Sequence, residues 1–134
     1  MVSVFERITE EMHDNVELYT PVRPKPFKIY IEADKVVFSS ESIKKPIPMP
    51  KAIWNDIPNF LRGKGRVKIG MGYKTAEEGT LQYFIDHHRS RGKQHSSDAN
   101  YVAVVLKRLK IVEIAINKIE TIENRKSSKV RLVE

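Results

Sequence analysis

The chain has no cysteine, which excludes disulfide cross-links and thiolate metal sites, among them the cysteine-rich structural zinc centres. That composition suits a reducing compartment. Long apolar runs are missing as well: no stretch approaches the ~18 residues that a membrane-spanning helix requires. The opening residues, "MVSVFERITEE", carry neither the basic region nor the apolar stretch of a secretory signal. A cytoplasmic protein with no membrane partner is therefore expected. The sequence also contains no acid-x-lysine triplet, the arrangement by which one family of nucleases brings a carboxylate and an ammonium to a single metal-bound phosphate. "GKGRVKIGMG" lacks the Gly-Lys-Ser/Thr ending that cradles nucleotide phosphates, and there is no serine nucleophile elbow. In "HHRSRGKQH" no carboxylate lies inside the run, and His87 and His88, as neighbours on a helix, project to different sides. Neither an enzyme nor a cofactor nor a metal centre is expected.

What is present is charge, unevenly placed. The 134 residues carry a formal net charge of +7. Residues 1–42 hold eight acids and five bases, and residues 43–134 hold nine acids and nineteen bases. The bases cluster further: "RGKGRVKIGMGYK", Arg62 to Lys74, has five and no acid, and His87 to His95 has three bases and three histidines. Such polarity is the footprint of a protein that meets a polyanion through one part of its surface. Lysine, glutamate and isoleucine are frequent and glutamine scarce, a bias reported for hyperthermophiles.

With 40% hydrophobic residues, a chain of this length buries one sizeable core. Val4, Phe5, Ile8, Met12 and Val16 recur at helical spacing with acids between them, which predicts an amphipathic N-terminal helix. "TPVRPKPF" ends it, because prolines remove backbone donors and favour extended structure. "FKIYIEADKVVF" alternates Phe27, Ile29 and Ile31 against Lys28, Tyr30 and Glu32, turns at Ala33 and Asp34, and returns through Val36 and Phe38: a β-hairpin. "IKKPIPMPK" reads as an extended connector. From Pro50, the stripe Ile53, Trp54, Ile57, Phe60, Leu61 predicts a helix that Pro58 should kink or divide and that Gly63 and Gly65 end. "RVKIG" is a short strand. Thr75 with Glu78 fits a capping box opening a helix that buries Leu81, Phe84 and Ile85. Ser96, Ser97 or Asp98 caps a further helix, from about Asp98 to Lys110, whose core stripe is Val102, Val105, Leu106 and Leu109. Its other face offers Asn100, Ala103, Val104, Lys107 and Arg108. "IVEIAINKIE" reads as a strand, "TIENRKSS" as a basic loop and "KVRLV" as a returning strand.

This order of helix, strand, helix, helix, strand, basic loop and strand resembles the winged helix-turn-helix superfamily over residues 50–134. The expected fold is thus α+β: a winged-helix core carrying an N-terminal extension of helix, proline-rich connectors and β-hairpin over residues 1–49. The resemblance implies a recognition helix presenting Asn100, Lys107 and Arg108, and a wing presenting Arg125, Lys126 and Lys129 to double-stranded DNA. One departure is the connector "RSRGKQHSS", longer than the tight turn of a typical helix-turn-helix. Independently of the family, Ser96, Ser97 and the amides that open the last helix form an anion-favouring terminus, with Arg89, Arg91 and Lys93 just before it. A DNA-binding transcriptional regulator is the first expectation, paired into a homodimer through residues 1–20. A protein- or RNA-interaction module of the same fold is the second. The third is a small nuclease using Glu77, Glu78, Asp86 and His87.

Overall fold

The computed structural model describes residues 3–12, 16–20, 24–41, 46–70, 78–88, 98–115 and 118–121. Their elements mix helix and antiparallel sheet, as an α+β chain should. Helix α1 (Val4–Glu11) starts where the Ser3 hydroxyl accepts from the Glu6 amide at 3.2 Å, an N-cap of the usual kind. It stops at Glu11, five residues short of the Val16 that the helical spacing predicts: Met12 is already extended, and Val16–Tyr19 form strand β1. The "VELY" segment alternates as readily as it spirals, and pairing with the next strand, Val16 opposite Ile29, decides between the two.

The predicted hairpin is present as β2 (Pro26–Glu32) and β3 (Lys35–Ser39), with Ala33 at φ 54° in the turn and Phe27 and Ile29 buried. The sequence reading stopped at two strands, whereas the structure has four. The proline-spaced connector is itself a strand, β4 (Ile47–Pro50), and the sheet runs β1-β2-β3-β4 in antiparallel order. Pro48 and Pro50 are tolerated because β4 is an outer strand, where a missing N–H leaves no ladder partner stranded.

Helix α2 (Lys51–Leu61) follows at once. Pro58 lies inside it without dividing it. The proline removes the bond to the carbonyl four residues back, yet Ile57 and Leu61 stay fully buried on either side of it, and that burial carries the helix through its last turn. Gly63 (φ 71°) then turns the chain toward strand β5 (Val67–Lys68). Helices α3 (Leu81–His88) and α4 (Asp98–Arg108) and the hairpin β6 (Val112–Ala115) and β7 (Lys118–Thr121) complete the order.

Three sequence expectations change here. The α3 helix begins at Leu81, not near Thr75: the Thr80 hydroxyl accepts from the Tyr83 amide at 3.1 Å and so caps it, after a turn in which Gly79 takes φ 90°. On α4, Ala103 and Val104 belong to the core and not to the outer face. The stretch expected as one strand, "IVEIAINKIE", holds both strands of the hairpin, with Ile114 opposite Ile119 and Ala115 opposite Lys118. Asn117 is the run's turn-forming residue, and with no Gly or Pro beside it the β-branched residues on either side outweigh it in a reading by residue type. The hairpin reaches Thr121, the first residue of "TIENRKSS"; the rest of that loop and the strand expected in "KVRLV" lie outside the described residues.

One core joins all of this. The inner face of the four-stranded sheet meets α4 and α2 through rings in edge contact: Phe27 with Tyr101 at 4.8 Å, Phe38 with Trp54 at 6.1 Å. The apolar side of α1, including Met12, is buried in the same cluster. Arg7 donates to the carbonyl of Leu109 past the end of α4 and bridges to Glu11 at 2.7 Å, which holds the Glu11 carboxyl below its ordinary pKa. Of the surface that residues 1–20 were expected to offer a second copy, Val4, Phe5, Ile8 and Met12 face this chain's own core. Among the described residues no helix is long and apolar enough to cross a membrane.

The end of α4 carries a built-in strain. Ile111 N–H donates to the Leu106 carbonyl at 3.0 Å and Lys110 N–H to that of Lys107 at 2.9 Å, the paired bonds of a Schellman turn. The residue that must be left-handed there is Lys110, at φ 62°, where glycine is the usual occupant. Lys110→Gly removes the Cβ penalty of ~1–2 kcal/mol against a larger unfolded-state entropy. A net gain of about 0.5–1 kcal/mol is expected in thermal or denaturant unfolding; a loss of stability would contradict the strain.

Candidate nucleic-acid interface

The geometry that positions any site on α3 and α4 centres on Gln82, which is 2% exposed. Its backbone N–H donates to the Ile69 carbonyl at the end of β5 at 2.9 Å. Its Oε1 accepts from the Ala99 N–H in the first turn of α4 at 3.0 Å, and its Nε2 donates to Asp86 Oδ1 at 2.9 Å. One residue, by its backbone N–H and its side chain, thereby ties the end of β5, α3 and α4 together. The close fit requires Gly70: at φ 116°, a Cβ on it would stand 2.7 Å from the Gln82 Cβ. No pattern in the sequence marks Gln82, because a lone amide on an apolar helix face has no periodicity of its own.

The expected site residues fall into two groups. Arg89, Arg91, Lys93, Ser96, Ser97, Arg125, Lys126 and Lys129 lie outside the described residues, as do Thr75 and Glu77. Asn100, Lys107 and Arg108 are described: the first is half-buried and the other two are exposed. The amides opening α4 are not all open to an anion, since that of Ala99 is taken by Gln82. Most of α4 is covered, with Ala99, Ala103, Val105 and Leu106 buried and Tyr101 packed under Phe27 and Phe38. Its midsection has no solvent face to lay in a groove.

The hairpin supplies a basic feature that the sequence reading missed. Lys68 of β5 stands directly opposite Lys118 of β7, and Lys118 in turn pairs with Ala115 at the turn end of the hairpin. Like charges in register oppose sheet formation by ~0.2–1 kcal/mol. Two residues along, just before β5, the opposite arrangement occurs, with Arg66 beside Glu120 at 3.8 Å. Among the described residues no carboxylate bridges Lys68 or Lys118. Lys107 and Arg108 belong to the other end of the hairpin, because they lead through Lys110 into Val112 at the open end of β6. The only signal in the sequence was the lysine within "RVKIG", and it became meaningful only once the β5–β7 register was known.

Of the carboxylate and histidine set of the nuclease expectation, Glu77 lies outside the described residues, and Glu78 and His87 line one open groove from which Asp86 is absent. Asp86 is buried and held by Gln82, whereas His87 is exposed and stacked on Tyr83 at 3.8 Å. His88 pairs instead with Asp56 of α2 at 2.8 Å. Among the described residues no group of three or more histidines and carboxylates is placed to hold a metal ion.

Replacing Gln82 by leucine keeps the volume and removes both amide contacts, leaving the buried Ala99 N–H without its acceptor. A loss of at least about 1–3 kcal/mol is expected in chemical denaturation. Gly70→Ala, which forces both a clash and a disfavoured φ, should unfold the chain at lower denaturant still; parent-like midpoints for both variants would refute the role assigned to Gln82.

No protein-family model, curated protein or solved structure matches the chain.

Proposed function

We propose that the chain binds double-stranded DNA, chiefly through its phosphates, as a winged-helix protein in which the hairpin β6–β7 serves as the wing. The observation that carries the reading is the lysine pair across β5 and β7. Two ammonium groups held in register weaken the sheet, so their placement at the turn end of the hairpin is best explained by an anion that lies against them. The element order α2, β5, α3, α4, β6, β7, with β5 completing a three-stranded sheet, is consistent with the winged-helix resemblance. The net charge of +7 favours the same class of partner. A regulatory role in transcription belongs to this reading. Lys107 and Arg108 add a second basic point at the far end of α4, with Asn100 as the residue of that helix suited to a base edge.

A second reading, an interaction module for a protein or RNA partner, is favoured by one observation: the covered midsection of α4, which leaves little helix to insert in the major groove.

The two readings separate on a charge reversal. Lys68→Glu converts the cross-strand repulsion into a Glu–Lys attraction and should raise stability by ~0.2–1 kcal/mol. On the DNA reading it simultaneously weakens duplex binding at low salt. Alanine at both Lys68 and Lys118 should shrink the slope of log K against log salt by about two, since each phosphate contact contributes roughly 0.9. A stabilised Lys68→Glu variant that binds duplex with the parent's affinity and slope, in gel retardation or anisotropy, transfers the assignment to the interaction module.

A further inference from the structure

A second surface, on the other side of α3, has chemistry of its own. Between α2 and α3 lies an open groove of about 510 Å³ lined by Phe60, Lys64, Tyr83, Phe84, His87 and His88, with Glu78 and Gly79 at its edge. Its rings are already arranged in stacks. Phe60 and Phe84 lie face to face at 4.6 Å and 21°, and Tyr83 and His87 at 3.8 Å and 29°. The Lys64 ammonium stands 3.8 Å from the Phe60 ring centre.

We propose that this groove binds an unpaired nucleotide of a single-stranded nucleic acid, its base added to the Tyr83–His87 stack and its phosphate drawn to Lys64. Phe60, Tyr83 and Phe84 are all half-buried and not enclosed, so the rings are open to a flat ligand at an unfavourable exposure to water. The volume falls within the ~300–1,000 Å³ of small-molecule sites, enough for one nucleotide and too little for a folded partner. Charge decides the occupant. An apolar contact with a second copy would bring together two chains of +7, whereas a polyanion gains from that net charge and from Lys64, with Glu78 standing at the edge. Stacking is indifferent to base identity, because every base has a π-face, and the groove is thus a sequence-tolerant site. The inference extends the nucleic-acid reading without depending on its duplex part, since none of the lining residues belongs to the hairpin or to α4.

The test uses the full chain and two probes at low salt, a fluorescent oligothymidylate and a blunt duplex of equal length. Tyr83→Ala and His87→Ala should each weaken oligothymidylate binding by roughly 5- to 100-fold, the range of one lost base stack, and leave duplex affinity unchanged. Tyr83→Trp, which keeps a stacking face, should bind oligothymidylate at least as well as the parent, and this separates stacking from damage to the fold. Binding of oligothymidylate but not duplex would sink the wing reading and leave the groove assignment standing. Failure of the parent to bind oligothymidylate, or equal affinity in parent, Tyr83→Ala and His87→Ala, overturns the proposal. So does a dimer in sedimentation that Tyr83→Ala dissolves, because the occupant would then be a second copy.

Discussion

The buried amide of Gln82 is the constraint on which the arrangement of α3, α4 and β5 depends. A buried polar side chain is tolerated only when its donors and acceptors are met, and each bond left unmade costs more than the bond itself contributes. The Gln82 side chain meets this requirement with the Ala99 amide of α4 and with Asp86 on its own helix, while its backbone N–H donates to the carbonyl of Ile69. Apolar packing alone would let α4 slide or rotate on α3 at small cost. The bond from the Ala99 N–H, at 3.0 Å, fixes its register, and it does so at the first turn, where a helix has unpaired N–H groups to give. Gly70 belongs to the same device: the side chain sits where it does because that position has no Cβ.

The parts of this fold that were legible in the sequence are those in which several apolar residues report one period. Val102, Val105, Leu106 and Leu109 mark α4 because four positions agree, and Phe27 with Ile29 marks β2 because charged and aromatic residues alternate with them. The parts that were not legible rest on single residues or on partners distant in sequence. Met12 and Val16 satisfy a helical spacing, and only the ladder to Ile29 reveals that the second begins a strand. Ala103 and Val104 read as outer residues because they lie off the main stripe, while a helix covered by a sheet, a helix and a hairpin has little outer side. The hairpin turn was missed because Asn117 was read as part of one continuous strand, and the bases expected on the wing, Arg125, Lys126 and Lys129, lie outside the described residues. The candidate site fared worst, since it is defined by a register. Lys68 and Lys118 are fifty residues apart and become a pair only when β5 joins β7.

Magnitudes bear on whether that pair is an accident of surface composition. Its cost to the sheet is ~0.2–1 kcal/mol, and a phosphate contact contributes about 0.9 in log K for each tenfold fall in salt, close to 1.2 kcal/mol for each lysine between 1 M and 0.1 M. Two contacts outweigh the folding cost severalfold. The opposite choice is also available here, as Arg66 with Glu120 demonstrates two residues along. Surface pairs of that kind are worth little in isolation. Repulsion where attraction is one substitution away is therefore a stronger pointer to an external anion than the count of bases in the chain.

The burial of α4 sets a limit on what such a protein reads. A helix that enters the major groove needs a continuous exposed face several residues long, from which three or four side chains reach base edges. Here Tyr101 is turned into the sheet against Phe27 and Phe38, and Val104, which lies between Asn100 and Arg108 on the helix surface, is itself covered. Among the described side chains of α4, those exposed are Lys107 and Arg108 near the end, and neither belongs to the turn end of the hairpin where Lys118 stands. On the proposed reading, two separated basic points on a rigid body grip the phosphate backbone at fixed spacing, which sets orientation and affinity but carries little sequence information. Discrimination among duplexes must then come from how readily the DNA accommodates that spacing, the groove-width and bendability term, and not from a row of base contacts along α4.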